Sequence, residues 1–165
     1  MKSIIFDLDL TLVDTTSLEE LRSKREWSKV YSLIPQTSLY DGLEKVFDII
    51  RTHNIKSVIV STSPRSYIER VVRFHNIPIQ HIIGFHDAKP IKPDPAAFYK
   101  AIELLGEPPK NIISFGDRAI DIQASNAANI ESVACFWDTK EKKELLQSDY
   151  SHAIIHPSEI ITLIR

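Results

Sequence analysis

Two acidic side chains lie one residue apart in the segment Ile4-Ile5-Phe6-Asp7-Leu8-Asp9. The apolar run before them predicts a buried strand, and alternate side chains of a strand point to the same face. We therefore expect Asp7 and Asp9 to point together from the carboxyl end of this strand. Because burying carboxylates is costly without a cation or hydrogen bonds, the pair indicates either a cation site or a solvated acidic turn.

A second apolar run, residues 112–115, also ends in acidic residues. Gly116 permits a turn there, and Asp117 and Asp121 then open a helical segment, where carboxylates also serve as structural caps. The alternative to a cap is that Asp117, with or without Asp121, faces Asp7 across the strand ends. Such a set of oxygen ligands suits Mg²⁺.

A hydroxyl cluster follows a third apolar run, Ser57-Val58-Ile59-Val60. Ser61 and Thr62 stand at the strand end, just before a helix that Pro64 is expected to start. Hydroxyls at such a helix start can bind an anion, although a serine cluster is also typical of an ordinary turn.

A lysine between prolines, Lys92, stands in the segment Lys89-Pro90-Ile91-Lys92-Pro93. An ammonium held there could neutralise a phosphoryl group and an attacking carboxylate, or it could be a solvated surface charge.

The order of these segments resembles the haloacid dehalogenase superfamily of phosphotransferring hydrolases, in particular its phosphoglycolate-phosphatase-like branch. The resemblance covers nearly the whole chain except a segment near residues 15–39, and it rests on Phe6 to Asp14, Val58 to Ser66, Ile91 to Phe98 and Gly116 to Ala128. It implies an α/β, Rossmann-like, three-layer fold with a mainly parallel sheet, in one domain over residues 1–165. It also implies a Mg²⁺-dependent phosphatase.

The resemblance implies a role for each matching residue. Asp7 would be the nucleophile that forms an aspartyl-phosphate, and Asp9 would be the general acid and base. Thr11 would hold the loop, while Ser61, with Thr62 as a lesser candidate, would bind the phosphoryl group.

The metal ligands and the stabilising cation are implied in the same way. Lys92 would stabilise charge, with Lys89 as the alternative if the loop register is shifted. The Mg²⁺ would be held by a side-chain oxygen of Asp7, the backbone carbonyl of Asp9 and the side chain of Asp117, with Asp121 as a further ligand or a support behind the ligands. The sequence leaves open whether Arg65 or Arg118 touches the substrate.

Asp9 favours phosphate esters over halogenated substrates, because an alkoxide leaving group needs a proton donor and a dehalogenase lacks this second acid. The alternatives are a phosphotransferase or phosphomutase on the same scaffold and a non-catalytic phosphate-binding module.

Leu10 departs from the family pattern, since many relatives have glycine there. It places a bulky side chain in the loop after the nucleophile.

The substrate is expected to depend on a small cap insert at residues 15–39, predicted as one helix and a loop. Trp27, Val30, Tyr31 and Ile34 form an apolar stripe that is expected to pack on the core. The basic residues of the insert are expected to form a solvated face, although one could reach an anionic group of the substrate; they are Arg22, Lys24, Arg25 and Lys29. So small a cap predicts an open site, with access for larger phosphorylated substrates or closure by a partner subunit in an oligomer.

Composition limits the remaining function classes. The chain has 165 residues, 43% hydrophobic and 25% charged, which is typical of a globular domain. Its net charge of -2 gives no sign of nucleic-acid or membrane binding. No signal peptide or membrane span is evident, and the single cysteine, Cys135, is expected to be buried, so a cytoplasmic location is expected.

Overall fold

The computed structural model describes residues 1–165 and contains one sheet of six parallel strands. The strands of the chain are β1 (Ser3–Phe6), β2 (Val13–Asp14), β3 (Ser38–Leu39), β4 (Ser57–Val60), β5 (His81–Ile83), β6 (Ile112–Gly116), β7 (Glu131–Cys135) and β8 (His152–Ile154). Across the sheet, they lie in the order β5-β4-β1-β6-β7-β8, and β2 pairs with β3 in a separate antiparallel ribbon.

Eight α-helices accompany the strands, and five of them lie in the crossovers that parallel pairing requires. Two others belong to the insert, and the last follows β8. The helices are α1 (Glu19–Ser23), α2 (Trp27–Leu33), α3 (Leu43–Thr52), α4 (Arg65–Phe74), α5 (Ala96–Leu105), α6 (Ala119–Ala127), α7 (Lys142–Leu146) and α8 (Ile160–Leu163). None of them is long and apolar enough to span a bilayer. The α/β, Rossmann-like fold with a parallel sheet is therefore confirmed.

Helices cover both faces of the sheet, because alternate residues of each buried strand point to opposite sides. Ile4 and Phe6 of β1 belong to the larger core, which includes apolar residues of α3, α4 and α8. Ile5, between them, belongs to a second core with residues of α5 and α6. The continuous apolar runs in the sequence thus become strands buried on both faces.

The cap insert differs from the prediction of one helix and a loop. It contains two short helices, α1 and α2, and the β2–β3 ribbon closes its base. Arg25 separates the helices, because its φ of 57° is left-handed and cannot continue a right-handed helix. The apolar stripe packs as expected, with Val30 and Ile34 buried in the larger core and Trp27 and Tyr31 packed against it.

The topology brings three predicted site segments together. Strand β1 lies between β4 and β6, so the residues that follow these strands meet at the centre of one sheet edge. They are Asp7 after β1, Ser61 after β4 and Asp117 after β6. In open parallel sheets, ligands bind at this carboxyl edge.

Candidate active site at the carboxyl ends of the strands

The loop after β1 is a tight backbone turn. The Asp7 amide continues the strand pairing by donating to the Phe115 carbonyl at 2.9 Å. The Leu8 carbonyl then accepts the amides of Thr11, Leu12 and Val13 at 3.3, 2.9 and 3.2 Å. Leu10 has a φ of 64°, in the left-handed region that favours glycine. Its side chain lines the site cavity.

Lys92 lies beneath the nucleophile candidate and is only 6% exposed. Its ammonium donates to Asp7 Oδ1 at 2.9 Å, to Asp121 Oδ1 at 2.5 Å and to the Val60 carbonyl at 3.1 Å. Burial by itself would lower the pKa of Lys92, but Asp121 and Asp7 outweigh it and raise this pKa. The group therefore stays positively charged.

Lys89, the alternative to Lys92, lies elsewhere. Its ammonium stands 3.4 Å from the centre of the Phe85 ring and forms a cation–π contact. The structure thus brings Lys92, not Lys89, to Asp7.

Three carboxylates meet above Lys92. Asp7, Asp117 and Asp121 each contribute one carboxylate oxygen, and these three oxygens lie within 4.8 Å of one another. Burial raises the pKa of Asp117 to about 9, and the charges of Asp7 and Asp121 add to this shift. Burial also raises the pKa of Asp7, against the opposing effect of Lys92. One ammonium does not compensate three buried carboxylates, so the cluster fits a bound divalent cation.

The three acids differ in the oxygens that remain available. Asp121 accepts from Lys92 on one oxygen and from the Arg118 amide on the other, at 3.0 Å, and its side chain fills the space that a Cβ at residue 116 would need. Asp117 accepts one hydrogen bond, from the Thr11 hydroxyl to Oδ1 at 3.2 Å. Asp7 accepts from Lys92 on Oδ1, and its Oδ2 has only a long contact of 3.5 Å with the same hydroxyl. Asp7 and Asp117 are thus better placed to bind a cation directly than Asp121.

Asp9 has a separate set of partners. Its Oδ1 accepts from the Arg22 guanidinium, from the Thr15 hydroxyl at 2.8 Å and from the Tyr67 hydroxyl at 2.6 Å. Its Oδ2 accepts only from Ser63 Oγ, at 3.3 Å. One oxygen is therefore held firmly and the other is left for further chemistry.

Arg22 departs from the solvated face that the sequence predicts for the basic residues of the insert. Its side chain is 23% exposed and turns inward. Beside the bond to Asp9, Nη1 donates to Thr15 at 3.1 Å and to Tyr67 at 3.4 Å, and the guanidinium stands 5.3 Å from the centre of the Tyr67 ring. An aromatic face and an acidic partner together keep this charge out of bulk water.

The hydroxyl segment after β4 also reaches the site. Ser61 Oγ accepts from the Ser63 amide at 3.1 Å, and Ser61 and Thr62 both line the cavity. Pro64 precedes α4, as predicted. Arg65 instead donates to the Ile82 carbonyl and pairs with Asp87, away from the cavity.

One open cavity of about 290 Å³ is lined by residues from all three strand ends, including Asp7, Ser61 and Asp117. Arg118 lines it and pairs with Glu141 at 3.1 Å, so of the two arginines that the sequence left open only Arg118 faces the site. The cavity is lined by Asp7, Asp9, Leu10, Thr15, Thr16, Glu19, Arg22, Ser61, Thr62, Asp117, Arg118, Lys140 and Glu141.

Sequence reasoning missed most of the partners of Asp9. Ser63 lies in the hydroxyl segment on which the family resemblance rests, so the sequence indicates at least the region of this residue. Thr15 and Arg22 lie in the insert, where no motif singles them out, and Tyr67 is a buried aromatic residue of α4. Only the three-dimensional fold reveals that these residues converge on one carboxylate.

Comparison with known proteins places this site in a family context. Pyrophosphatase PpaX of Oceanobacillus iheyensis is 28% identical over 128 residues, which cover 76% of this chain and 58% of that protein. The chain thus spans little more than half of that relative's length. The phosphorylated carbohydrates phosphatase of Thermotoga maritima is 24% identical over 154 residues, 90% of this chain and 70% of that protein.

The fold has close counterparts among solved structures. The crystal structure of a predicted phosphoglycolate phosphatase from Haemophilus somnus 129pt superimposes with a TM-score of 0.86, at 18% identity, over 100% of this chain and 98% of that one. The family model for haloacid dehalogenase-like hydrolases matches residues 21–135, more than half of the chain, a stretch that includes Ser61, Lys92 and Asp117 and begins after Asp7 and Asp9. With the fold and the family model in agreement, the chain belongs to the haloacid dehalogenase-like hydrolases.

Proposed function

We propose that the protein is a Mg²⁺-dependent phosphatase that hydrolyses a phosphate monoester through an aspartyl-phosphate on Asp7. The observation that carries this proposal is the buried cluster of Asp7, Asp117 and Asp121 around the single ammonium of Lys92. Its surplus negative charge suits a divalent cation. Its position at the strand ends, beside a cavity, suits a reacting phosphoryl group.

The residues that would hold Mg²⁺ are the side chains of Asp7 and Asp117 and the backbone carbonyl of Asp9, which accepts no backbone hydrogen bond. Asp121 would support them from behind through Lys92 and the Arg118 amide. When bound, the ion supplies positive charge for the phosphoryl oxygens and orients them for in-line attack.

Asp7 supplies the nucleophile. Lys92 binds its Oδ1, so the carboxylate is fixed in place and its Oδ2, apart from the long contact with Thr11, remains free to attack phosphorus. The bond that forms joins an Asp7 oxygen to phosphorus, and the bond that breaks joins phosphorus to the ester oxygen. Ser61 and Thr62, at the cavity wall, can donate hydrogen bonds to the phosphoryl oxygens.

Asp9 handles the proton in both steps. Its Oδ1 is occupied by three donors, so Oδ2 is the oxygen that can hand a proton to the leaving oxygen. In the second step the same oxygen takes a proton from water as the water attacks phosphorus. Inorganic phosphate leaves, and the Asp7 carboxylate is restored.

The substrate class remains at the level of a small phosphorylated molecule. The similar proteins named above include a pyrophosphatase and a phosphatase of phosphorylated carbohydrates, so both anhydrides and esters of phosphate belong in a first screen. Transfer to an acceptor other than water, as in a phosphomutase, has no support from a specific contact. The short insert leaves the cavity accessible to water.

The test is hydrolysis of phenyl phosphate with and without Mg²⁺, by the wild type and by Asp7→Asn. The asparagine side chain is nearly isosteric but cannot attack, so we expect turnover to fall by roughly 10⁴-fold or more. Circular dichroism and thermal unfolding would check that the variant is folded. Comparable turnover by the variant, or turnover that is unaffected by EDTA, would overturn the mechanism.

A further inference from the structure

Arg22 uses only one edge of its guanidinium. All three of its hydrogen bonds, to Asp9, Thr15 and Tyr67, come from Nη1, while Nε and Nη2 make none. The Nε–Nη2 edge can bind a carboxylate or phosphate group in a bidentate manner. A partly buried guanidinium therefore keeps an anion-binding edge without a partner.

A second cavity, of about 410 Å³, adjoins the phosphoryl cavity. The two share Glu19, Arg22 and Thr62 as lining residues, so Arg22 stands in the wall between them. The other residues that line the second cavity are Ser23, Arg25, Trp27, Ser63, Pro64, Phe85 and His86.

The two cavities differ in charge. The phosphoryl cavity is lined by five acids and three basic residues, whereas the second cavity is lined by two arginines and one acid, Glu19. Arg25 forms no ion pair with any residue of the chain, in contrast to Lys24 and Lys29 beside it, which pair with Glu20 and Glu26. Arg22 is already paired with Asp9, so Arg25 is the cation at this open cavity that has no ion-pair partner. Together with the free edge of Arg22, it favours an anion there.

We propose that the second cavity is the leaving-group subsite, and that Arg22 selects leaving groups that carry a second anionic group, a carboxylate or a further phosphate. This inference rests on the phosphatase function proposed above. Arg22 would bind the second anion with its free edge while Nη1 continues to hold Asp9. The leaving oxygen would then be placed beside the carboxyl group that protonates it, and Trp27 and Phe85 would contact the apolar part of the leaving group.

The test compares substrates of nearly equal shape but different charge. 4-Carboxyphenyl phosphate carries the second anion, and 4-carbamoylphenyl phosphate replaces it with a neutral amide. We expect the wild type to favour the carboxylate by at least about tenfold in kcat/KM, mainly through KM. 1,4-Phenylene bisphosphate, tested alongside, tells whether the anion that is preferred is a carboxylate or a phosphate.

Arg22→Ala should abolish this preference, so that the ratio of kcat/KM between the charged and the neutral substrate falls to about one. Arg22→Gln serves the same purpose if the alanine variant does not fold. Lys24→Ala is the matched control, because it removes a nearby cation of the insert that touches neither cavity. We expect its preference to equal that of the wild type. A merely structural role of Arg22 would slow both substrates equally.

Three results would overturn the inference. They are a wild type without a preference for the charged substrates, an Arg22 variant that keeps the preference, and a Lys24→Ala variant that loses as much of it as Arg22→Ala. None of these results touches the phosphatase proposal, which fails only if no aryl phosphate is hydrolysed in a manner that depends on Asp7 and Mg²⁺.

Discussion

The two carboxylates of the first loop, Asp7 and Asp9, lie in opposite electrostatic surroundings. Asp7 shares one ammonium with Asp121 and lies beside a third carboxylate, Asp117, so its surroundings carry excess negative charge. Asp9 has a guanidinium and three hydroxyls to itself. The negative charge around Asp7 is balanced only when a metal cation is added, whereas the charge of Asp9 is already balanced by Arg22. We infer that the first region binds and attacks phosphate, and that the second orients a proton donor.

The largest effect on the Asp9 side is expected from Asp9→Asn. The amide keeps the size of the side chain but cannot transfer a proton, so kcat should fall by roughly 10² to 10⁴-fold. Acid-quenched samples analysed by mass spectrometry should show phosphorylated protein if hydrolysis slows more than formation. Asp41→Asn is the control, because this side chain is 99% exposed. A kcat within about twofold of the wild type would assign the proton to another group.

On the Asp7 side, Lys92→Ala is expected to lower kcat by roughly 10² to 10³-fold, because a positioned cation is lost from the reacting carboxylate. It should also destabilise the protein, since Asp7 and Asp121 are left buried without their common partner. Lys89→Ala is the matched control and should keep kcat within about twofold, because the Lys89 ammonium stands over the Phe85 ring and forms no ion pair with Asp7 or Asp121. The reverse ranking of the two lysines would contradict the placement of Lys92.

The sequence predicts the Asp7 region far better than the Asp9 region. Strands buried on both faces appear as apolar runs, and the polar residues that follow them must meet at one edge of a parallel sheet. Asp7, Ser61 and Asp117 are predictable for this reason. Lys92 follows from the family resemblance, and the lysine between prolines is the one that reaches Asp7.

The partners of Asp9 come from the insert and from a helix face, where residue type carries little information. Arg22 lies near the end of the short helix α1, just before the basic residues Lys24 and Arg25. Only its contacts with Tyr67 and Asp9 distinguish it from Lys24. The insert was also predicted with one helix too few, since nothing in its sequence shows that Arg25 adopts a left-handed φ. Long-range packing, rather than local pattern, decides these features.

A smaller effect is expected from Tyr67→Phe, which removes one of the three donors to Asp9 Oδ1 and the long 3.4 Å hydrogen bond that the hydroxyl accepts from Arg22. The ring is fully buried, so its packing is retained. We expect kcat to fall by about threefold to tenfold with little change in KM, in line with the loss of one hydrogen bond to Asp9. Tyr99→Phe is the matched control, because its hydroxyl donates to the Ala127 carbonyl on an exposed surface. Equal effects of both variants would show that Tyr67 does not act through Asp9.

The smallest effect, and the most direct contrast of the two regions, concerns stability without metal. The pKa of Asp117 is raised to about 9 from an ordinary value of 3.8, so folding penalises the ionised form. The stability that the protonated form provides is fully present below pH 3.8 and is lost as the pH rises towards 9. Asp117→Asn removes that penalty and should raise the melting temperature in EDTA at pH 8, by roughly 2–8 °C for about 1–2 kcal/mol.

This gain should shrink as the pH falls towards 4, where the wild-type side chain also becomes neutral. Mg²⁺ should raise the melting temperature of the wild type more than that of Asp117→Asn, because a neutral amide oxygen is a weaker ligand than a carboxylate. Arg22→Ala should do the opposite in EDTA and lower the melting temperature, since it leaves Asp9 without its compensating charge. An Asp117→Asn variant that is less stable than the wild type in EDTA at pH 8 would show that the acidic cluster is already balanced, and the main argument for a metal there would be lost.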